Sequence, residues 1–243
     1  MHGPMSDTVI LVIDMMNTYR HPDAETLIPH VEPIIDPLSR LVSEAHDRDD
    51  VELVYVNDNY GDFSAEFSDI VRSALDGERP DLVEPIVPQH GLRLMTKVRH
   101  SAFYATPLAY LLTQLKPDRL VLTGQVTEQC VLYTALDAYV RHFPVVIPRD
   151  GVAHIDPALG EAALQMMEQN MAPRSSRRLT ACPEQRGRAG TYPRQRGIPR
   201  VDHRPAGPAR GRPHRGRHVD GLRDSGLPRT GLAAGQPDDD QTV

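Results

Sequence analysis

The sequence predicts an α/β domain, a three-layer α-β-α stack on a mostly parallel sheet, followed by a disordered tail. Short β-branched runs alternate with amphipathic segments over residues 1–171, the pattern of a parallel sheet covered by helices on both faces. Charge divides the chain: residues 1–171 hold 12 Lys+Arg against 26 Asp+Glu, whereas residues 172–243 hold 15 Arg against 7 acids. That second stretch also carries nine Pro, ten Gly and one aromatic, Tyr192, too little apolar surface to offset the entropy of ordering its backbone.

The first strand is V-I-L-V-I at 9–13, a continuous apolar run typical of a strand buried on both faces, and it ends at Asp14. Residues 51–57, 93–98, 120–124 and 144–148 predict four more strands, with Lys97 near the end of the third. Helices are expected at 36–49, where Leu38, Leu41, Val42 and Ala45 share a face, at 106–116 with Pro107 in first position, and at 128–141. Pro29, Pro33 and Pro37 leave the start of the first helix open, because an interior proline removes a hydrogen bond and crowds the preceding turn.

Composition excludes several classes. The apolar run at 9–13 is too short for a secretory core or a membrane span, so a cytoplasmic protein without a membrane partner is expected. The two cysteines, Cys130 and Cys182, are far apart and suggest neither a disulfide framework nor a zinc site. The eleven histidines are scattered, and none is expected to form a His-x-x-x-His pair on one helix, so no metal and no cofactor are expected.

Ligands of open parallel sheets bind beyond the carboxyl ends of the strands. This places Asp14, Lys97 and the T-G-Q-V-T-E-Q-C turn ending at Cys130 on one edge. Singly, each has a bland explanation: a core thiol, a loop-capping carboxylate, a solvated lysine. Together they suit nucleophilic catalysis. Cys130 falls in the first turn of a helix, whose free N–H groups favour an anion, so a stabilised thiolate is expected, helped by Lys97. Asp14 would take the thiol proton and later give it to a leaving amine.

Three segments carry a family resemblance: V-I-L-V-I-D-M-M-N, K-V-R-H-S-A-F from Lys97, and T-G-Q-V-T-E-Q-C-V-L-Y-T-A-L-D-A from Thr123. Over residues 8–171 the chain resembles the isochorismatase-like hydrolases, a group that includes nicotinamidases, N-carbamoylsarcosine amidases and isochorismatases. The resemblance implies a six-stranded sheet in 3-2-1-4-5-6 order, with Asp14, Lys97 and Cys130 as the catalytic set. It implies a cis peptide between Gln125 and Val126, with the N–H groups of Val126 and Cys130 as oxyanion hole. It also implies a homo-oligomer that cleaves a small amide or other C–N bond through a Cys thioester, with isochorismatase-type enol-ether hydrolysis as the alternative.

Departures from the family pattern matter. Nicotinamidases carry an Asp-x-His metal motif after the second strand, and here V-N-D-N-Y offers Asp58 without histidine. Met16 stands where a glutamine is frequent. Met16, Asn17, His100, Phe103 and Tyr104 are candidate pocket residues for the small-molecule substrate. Glu128 is expected to cap its helix, and His154 to lie in a surface loop.

After Met171 the chain reads A-P-R-S-S-R-R, a poor buried strand. The sequence therefore predicts that the family's sixth strand is lost, leaving the order 3-2-1-4-5 and an unpaired fifth strand. Arg, Pro, Gly and Ala share GC-rich codons, so the tail, residues 172–243, fits a shifted reading frame. Its R-G-R segments would suit an arm binding nucleic acid, but the lack of interleaved aromatics weighs against that partner. A catalytically dead interaction domain is the third reading, against which the retained Asp14, Lys97 and Cys130 speak.

Overall fold

The computed structural model describes residues 7–171 and the backbone of residues 174–176. Strands β1 (Thr8–Ile13), β2 (Val51–Asp58), β3 (Arg93–Lys97), β4 (Arg119–Gln125) and β5 (Val145–Pro148) lie where the sequence places them. They pair in parallel in the order β3-β2-β1-β4-β5. Central β1 is buried at all six positions and alternates between two cores. Ile10 and Val12 face helices α1 (Ala24–His46), α2 (Phe67–Leu75) and α3 (Pro80–Val83). Val9, Leu11 and Ile13 face α4 (Leu108–Leu115), α5 (Leu132–Val140) and α6 (Pro157–Asn170). Burying each such side chain contributes about 1.5–3 kcal/mol, which fixes the strand's register and depth.

Helix α1 begins twelve residues before the expected helix and runs through all three prolines. Their spacing of four keeps them on one stripe, with Pro29 and Pro33 exposed, while Leu27, Val31, Ile34, Leu38, Leu41 and Ala45 form the buried stripe. Packing of that face outweighs the hydrogen bonds that the prolines lack. Helix α6 starts by local chemistry: Asp156 accepts hydrogen bonds from the N–H groups of Ala158 and Leu159, and Pro157 occupies the first turn. Strand β6 (Val152–Ala153) pairs with the end of β4 at Gly124 and Gln125. Gly124 has φ +110°, and a Cβ there would lie 2.1 Å from the Ile13 carbonyl oxygen. Only glycine lets β4 come this close to β1 just before the site.

The expected loss of the sixth strand is corrected. Strand β7 (Arg174–Ser176) pairs in parallel with β5, placing Arg174, Ser175 and Ser176 opposite Val146, Ile147 and Pro148. An edge strand is held by backbone donors and acceptors, which arginine and serine carry as well as valine does. Residues 1–6, 172–173 and 177–243, and with them most of the expected tail, its R-G-R segments and Cys182, lie outside the described residues.

The short β7 pairing gives a direct test. Truncation after Met171 should lower Tm relative to truncation after residue 178 by about 3–8 °C, the equivalent of about 1–2 kcal/mol of edge pairing. Equal melting temperatures for the two truncated chains would show that β7 contributes nothing.

Candidate active site

Because β1, β2, β3 and β4 are parallel, their carboxyl ends open on one edge. Asp14 follows β1 with φ +54°, a left-handed conformation uncommon for an aspartate. Two neighbours clamp it there. Its N–H donates to the Val56 carbonyl at 3.0 Å, and its own carbonyl accepts from Gln125 Nε2 at 2.7 Å. The carboxylate is thereby turned inward, where Oδ1 accepts from the Asp58 N–H at 2.7 Å and Oδ2 lies 2.8 Å from Lys97 Nζ.

Lys97 ends β3, directly opposite Asp58 of β2. Its side chain is fully shielded from solvent, and Nζ reaches Asp58 Oδ2 at 3.3 Å and Cys130 Sγ at 3.6 Å. Cys130 sits in a π-helical turn, Thr127–Val131, that leads into α5. The turn is anchored at several points. Thr127 Oγ1 donates to the Ala153 carbonyl, the Val131 N–H donates to that of Val126, and Glu128 Oε1 accepts from the N–H groups of Ile155 and Asp156. Glu128 thus ties the turn to the segment before α6 instead of capping its own helix. The Gln125–Val126 peptide is cis, as the resemblance implies, and the Val126 N–H is hydrogen-bonded toward the Cys130 sulfur.

Burial dominates the electrostatics. It pushes the Asp14 carboxyl above its ordinary value, opposed by the Lys97 charge and by hydrogen bonds from Cys130, Lys97 and Asp58. Burial by itself would pull Lys97 down, but the charge and hydrogen bond of Asp14 and the charge of Asp58 outweigh it and hold the ammonium above its usual range. The Cys130 thiol is driven up, first by burial and then by the Asp14 charge, with Lys97 and the Val126 N–H acting the other way. The expected stabilised thiolate is therefore corrected in direction: burial, and after it the Asp14 charge, favours the protonated thiol over the thiolate.

The candidate pocket residues separate. His100 Nδ1 lies 3.8 Å from Cys130 Sγ, and its ring stacks on Tyr133 at 5.2 Å. Met16 is buried, its backbone held on both sides by the Asn57 amide, while Asn17 caps the Tyr19 N–H. Phe103 belongs to the core, packed against Phe143 and beneath the Arg141 guanidinium, and Tyr104 is exposed. His154 lies half-buried in the loop between β6 and α6, its ring tilted against that of His30 of α1 with centroids 4.1 Å apart. Sequence reasoning gave the Gln125 side chain no role, passed over Tyr60, whose hydroxyl donates to the Met16 carbonyl, and gave Asp58 no part in the site. The one signal for Asp58 was its place at the end of β2. Asp58 is engaged by Lys97 and by the Tyr60 N–H, and among the described residues no group of three or more His, Cys, Asp or Glu could hold a metal ion.

Residues 8–178 match the model of the isochorismatase domain. The chain belongs to the isochorismatase family. This family member is 34% identical over 163 residues to the uncharacterized isochorismatase family protein YaaI of Bacillus subtilis, covering 67% of this chain and 90% of that one. It is 29% identical over 158 residues to maleamate amidohydrolase of Pseudomonas putida, covering 61% and 74% of the two chains. Among solved structures it is similar to an isochorismatase-like hydrolase from Alkaliphilus metalliredigens, with TM-score 0.58, 27% identity, and coverage of 70% of this chain and 94% of the other. Among the described residues of this isochorismatase-family chain, no helix is long and apolar enough to cross a membrane.

The raised thiol can be read chemically. Asp14→Asn removes a negative charge that holds the thiol up and leaves Lys97 to pull it down. The midpoint of Cys130 alkylation by iodoacetamide should then move to lower pH by about one unit or more. An unchanged or higher midpoint would contradict the assigned electrostatics.

Proposed function

We propose that this protein hydrolyses a small non-peptide amide or related C–N bond through a thioester on Cys130. The observation that carries the reading is the contact set of one sulfur: Cys130 Sγ lies 3.6 Å from Lys97 Nζ, is hydrogen-bonded to Asp14, and has the Val126 N–H directed at it. The similarity to maleamate amidohydrolase supports the same class of chemistry.

The steps follow from the geometry. As Sγ attacks the substrate carbonyl carbon, the thiol proton moves to Asp14, so the sulfur becomes anionic only while it forms the new bond. The N–H groups of Val126 and Cys130 would donate hydrogen bonds to the developing oxyanion. The C–N bond then breaks, and protonated Asp14 returns its proton to the amine nitrogen. Asp14's raised carboxyl suits it to both directions of transfer, a match worth about 100- to 10,000-fold in rate for a placed acid–base group. Lys97 remains cationic throughout and keeps Asp14 in place. Water finally cleaves the thioester. The catalytic unit so proposed spans residues 8–178, and the arginine-rich segment beyond it takes no part in the chemistry.

A panel of small primary amides and N-carbamoyl compounds, maleamate among them, would be screened by coupled detection of ammonia. At least one should turn over, and Cys130→Ser should reduce kcat/KM by about 1,000-fold or more with an unchanged Tm. Full activity of Cys130→Ser would refute the thioester and favour an enol-ether cleavage, which needs a proton donor and water but no nucleophile from the protein.

A further inference from the structure

Exposed apolar side chains are unevenly spread over the two helical layers. Among the described residues, α1, α2 and α3 expose no large apolar side chain, whereas α4, α5 and α6 expose Tyr110, Tyr133, Leu136, Val140, Leu159 and Met166. On α5 these fall at 133, 136 and 140, one stripe at helical spacing, and on α6 the exposed Leu159, Ala162 and Met166 repeat it. The core takes the other sides of both helices, through Thr134, Ala135 and Ala138 and through Ala163, Leu164 and Met167. The two helices pack against each other. Charge is divided in the same way. Residues 21–92, which build α1 to α3, hold 17 Asp+Glu against 4 Arg, whereas residues 93–171, which build α4 to α6, hold 7 Asp+Glu against 7 Lys+Arg. Every charged residue of α5 and α6 is already paired: Asp137 with Arg141, and Glu161 and Glu168 with Arg149.

We propose that the outer face of α5 and α6 is the contact surface for a second copy of this chain, the two copies meeting across a twofold axis. A face without net charge, whose ion pairs are closed within it, offers a charged partner nothing to recognise and leaves no charge unpaired when buried. It is also where two copies of so acidic a domain meet with least repulsion, since α1 to α3 of two copies would set like charges against each other. A twofold contact places the same stripe on both sides, so apolar surface meets apolar surface without a second, matching patch. The area is sufficient. Tyr133, Leu136, Val140, Leu159 and Met166 are 42% to 58% exposed, which leaves on the order of 100 Å² each, so a pair of copies would bury about 1,000 Å², what a specific interface needs. Tyr133 stands three residues after Cys130, and its ring stacks on His100, so the contact begins one helical turn from the nucleophile.

Sedimentation equilibrium of the full chain tests this, with Leu136→Glu on α5 and Leu159→Glu on α6 made separately, so that the loss of one variant to misfolding leaves the other decisive. Both side chains are exposed, and each variant should keep the wild-type far-UV circular dichroism spectrum. At tens of micromolar the wild type should sediment at twice the mass of the chain. A twofold contact contains each substitution twice, so either glutamate should raise the dimer Kd by about 100-fold or more. Raising NaCl from about 0.05 to about 0.5 M should leave the wild-type dimer as tight or tighter, because salt screens repulsion between the acidic faces and does not weaken apolar burial. A monomeric wild type would overturn the proposal. So would a folded variant that associates as the wild type does, or a dimer that salt dissociates, which would show charged contacts elsewhere to hold the copies together.

Discussion

A lysine ammonium wholly shielded from water persists in a fold only beside compensating charge, and Lys97 has Asp14 at 2.8 Å and Asp58 at 3.3 Å. Desolvating such a group costs several kcal/mol, which close, well-hydrogen-bonded partners must offset. The surrounding chain supplies them. The β2–β3 register sets Asp58 opposite Lys97, and the Asp58 N–H holds Asp14. The site is therefore an arrangement of charge inside the sheet's open end, and the chemistry of Cys130 follows from how that charge is already spent.

Together with burial, the larger cause, this holds the thiol up rather than down. A cation 3.6 Å away would ordinarily favour a thiolate, but Lys97 is neutralised by two carboxylates, one of which also hydrogen-bonds the sulfur. A neutral resting thiol resists oxidation and stray alkylation better than a thiolate. The backbone around it is equally constrained. Gly124 permits the near contact with Ile13, Gln125 secures the Asp14 carbonyl, and Glu128 fastens the turn that carries Cys130 to the segment leading into α6.

Much of this was legible in sequence because strand ends are legible. The run at 9–13 placed Asp14, the strand at 93–98 delivered Lys97, and the turn before Cys130 read as a strand-to-helix junction, so three side chains fell on one edge of a parallel sheet. What escaped depended on burial and partners that no local pattern encodes. The direction of the thiol shift follows from desolvation and from Asp14, not from the helix turn alone. Phe103 read as pocket lining because it follows Lys97 closely, yet it packs against Phe143 and Arg141 from distant segments. The prolines of α1 read as a barrier because their alignment on the solvent side emerges only when the helix is built. Strand β7 was missed because edge pairing rests on backbone groups, to which composition is blind.

The claim that the buried Lys97–Asp14 pair organises the site is tested most directly by a double-mutant cycle on unfolding in urea, with Lys97→Met, Asp14→Asn and the combined variant. Removing Lys97 alone should destabilise the protein by about 3–5 kcal/mol, because it strands a buried carboxylate. Adding Asp14→Asn should recover a large part of that loss, giving a coupling of about 2 kcal/mol or more between the two sites. Strictly additive effects, or a negligible cost for Lys97→Met, would show that the pair is not what the site is built on.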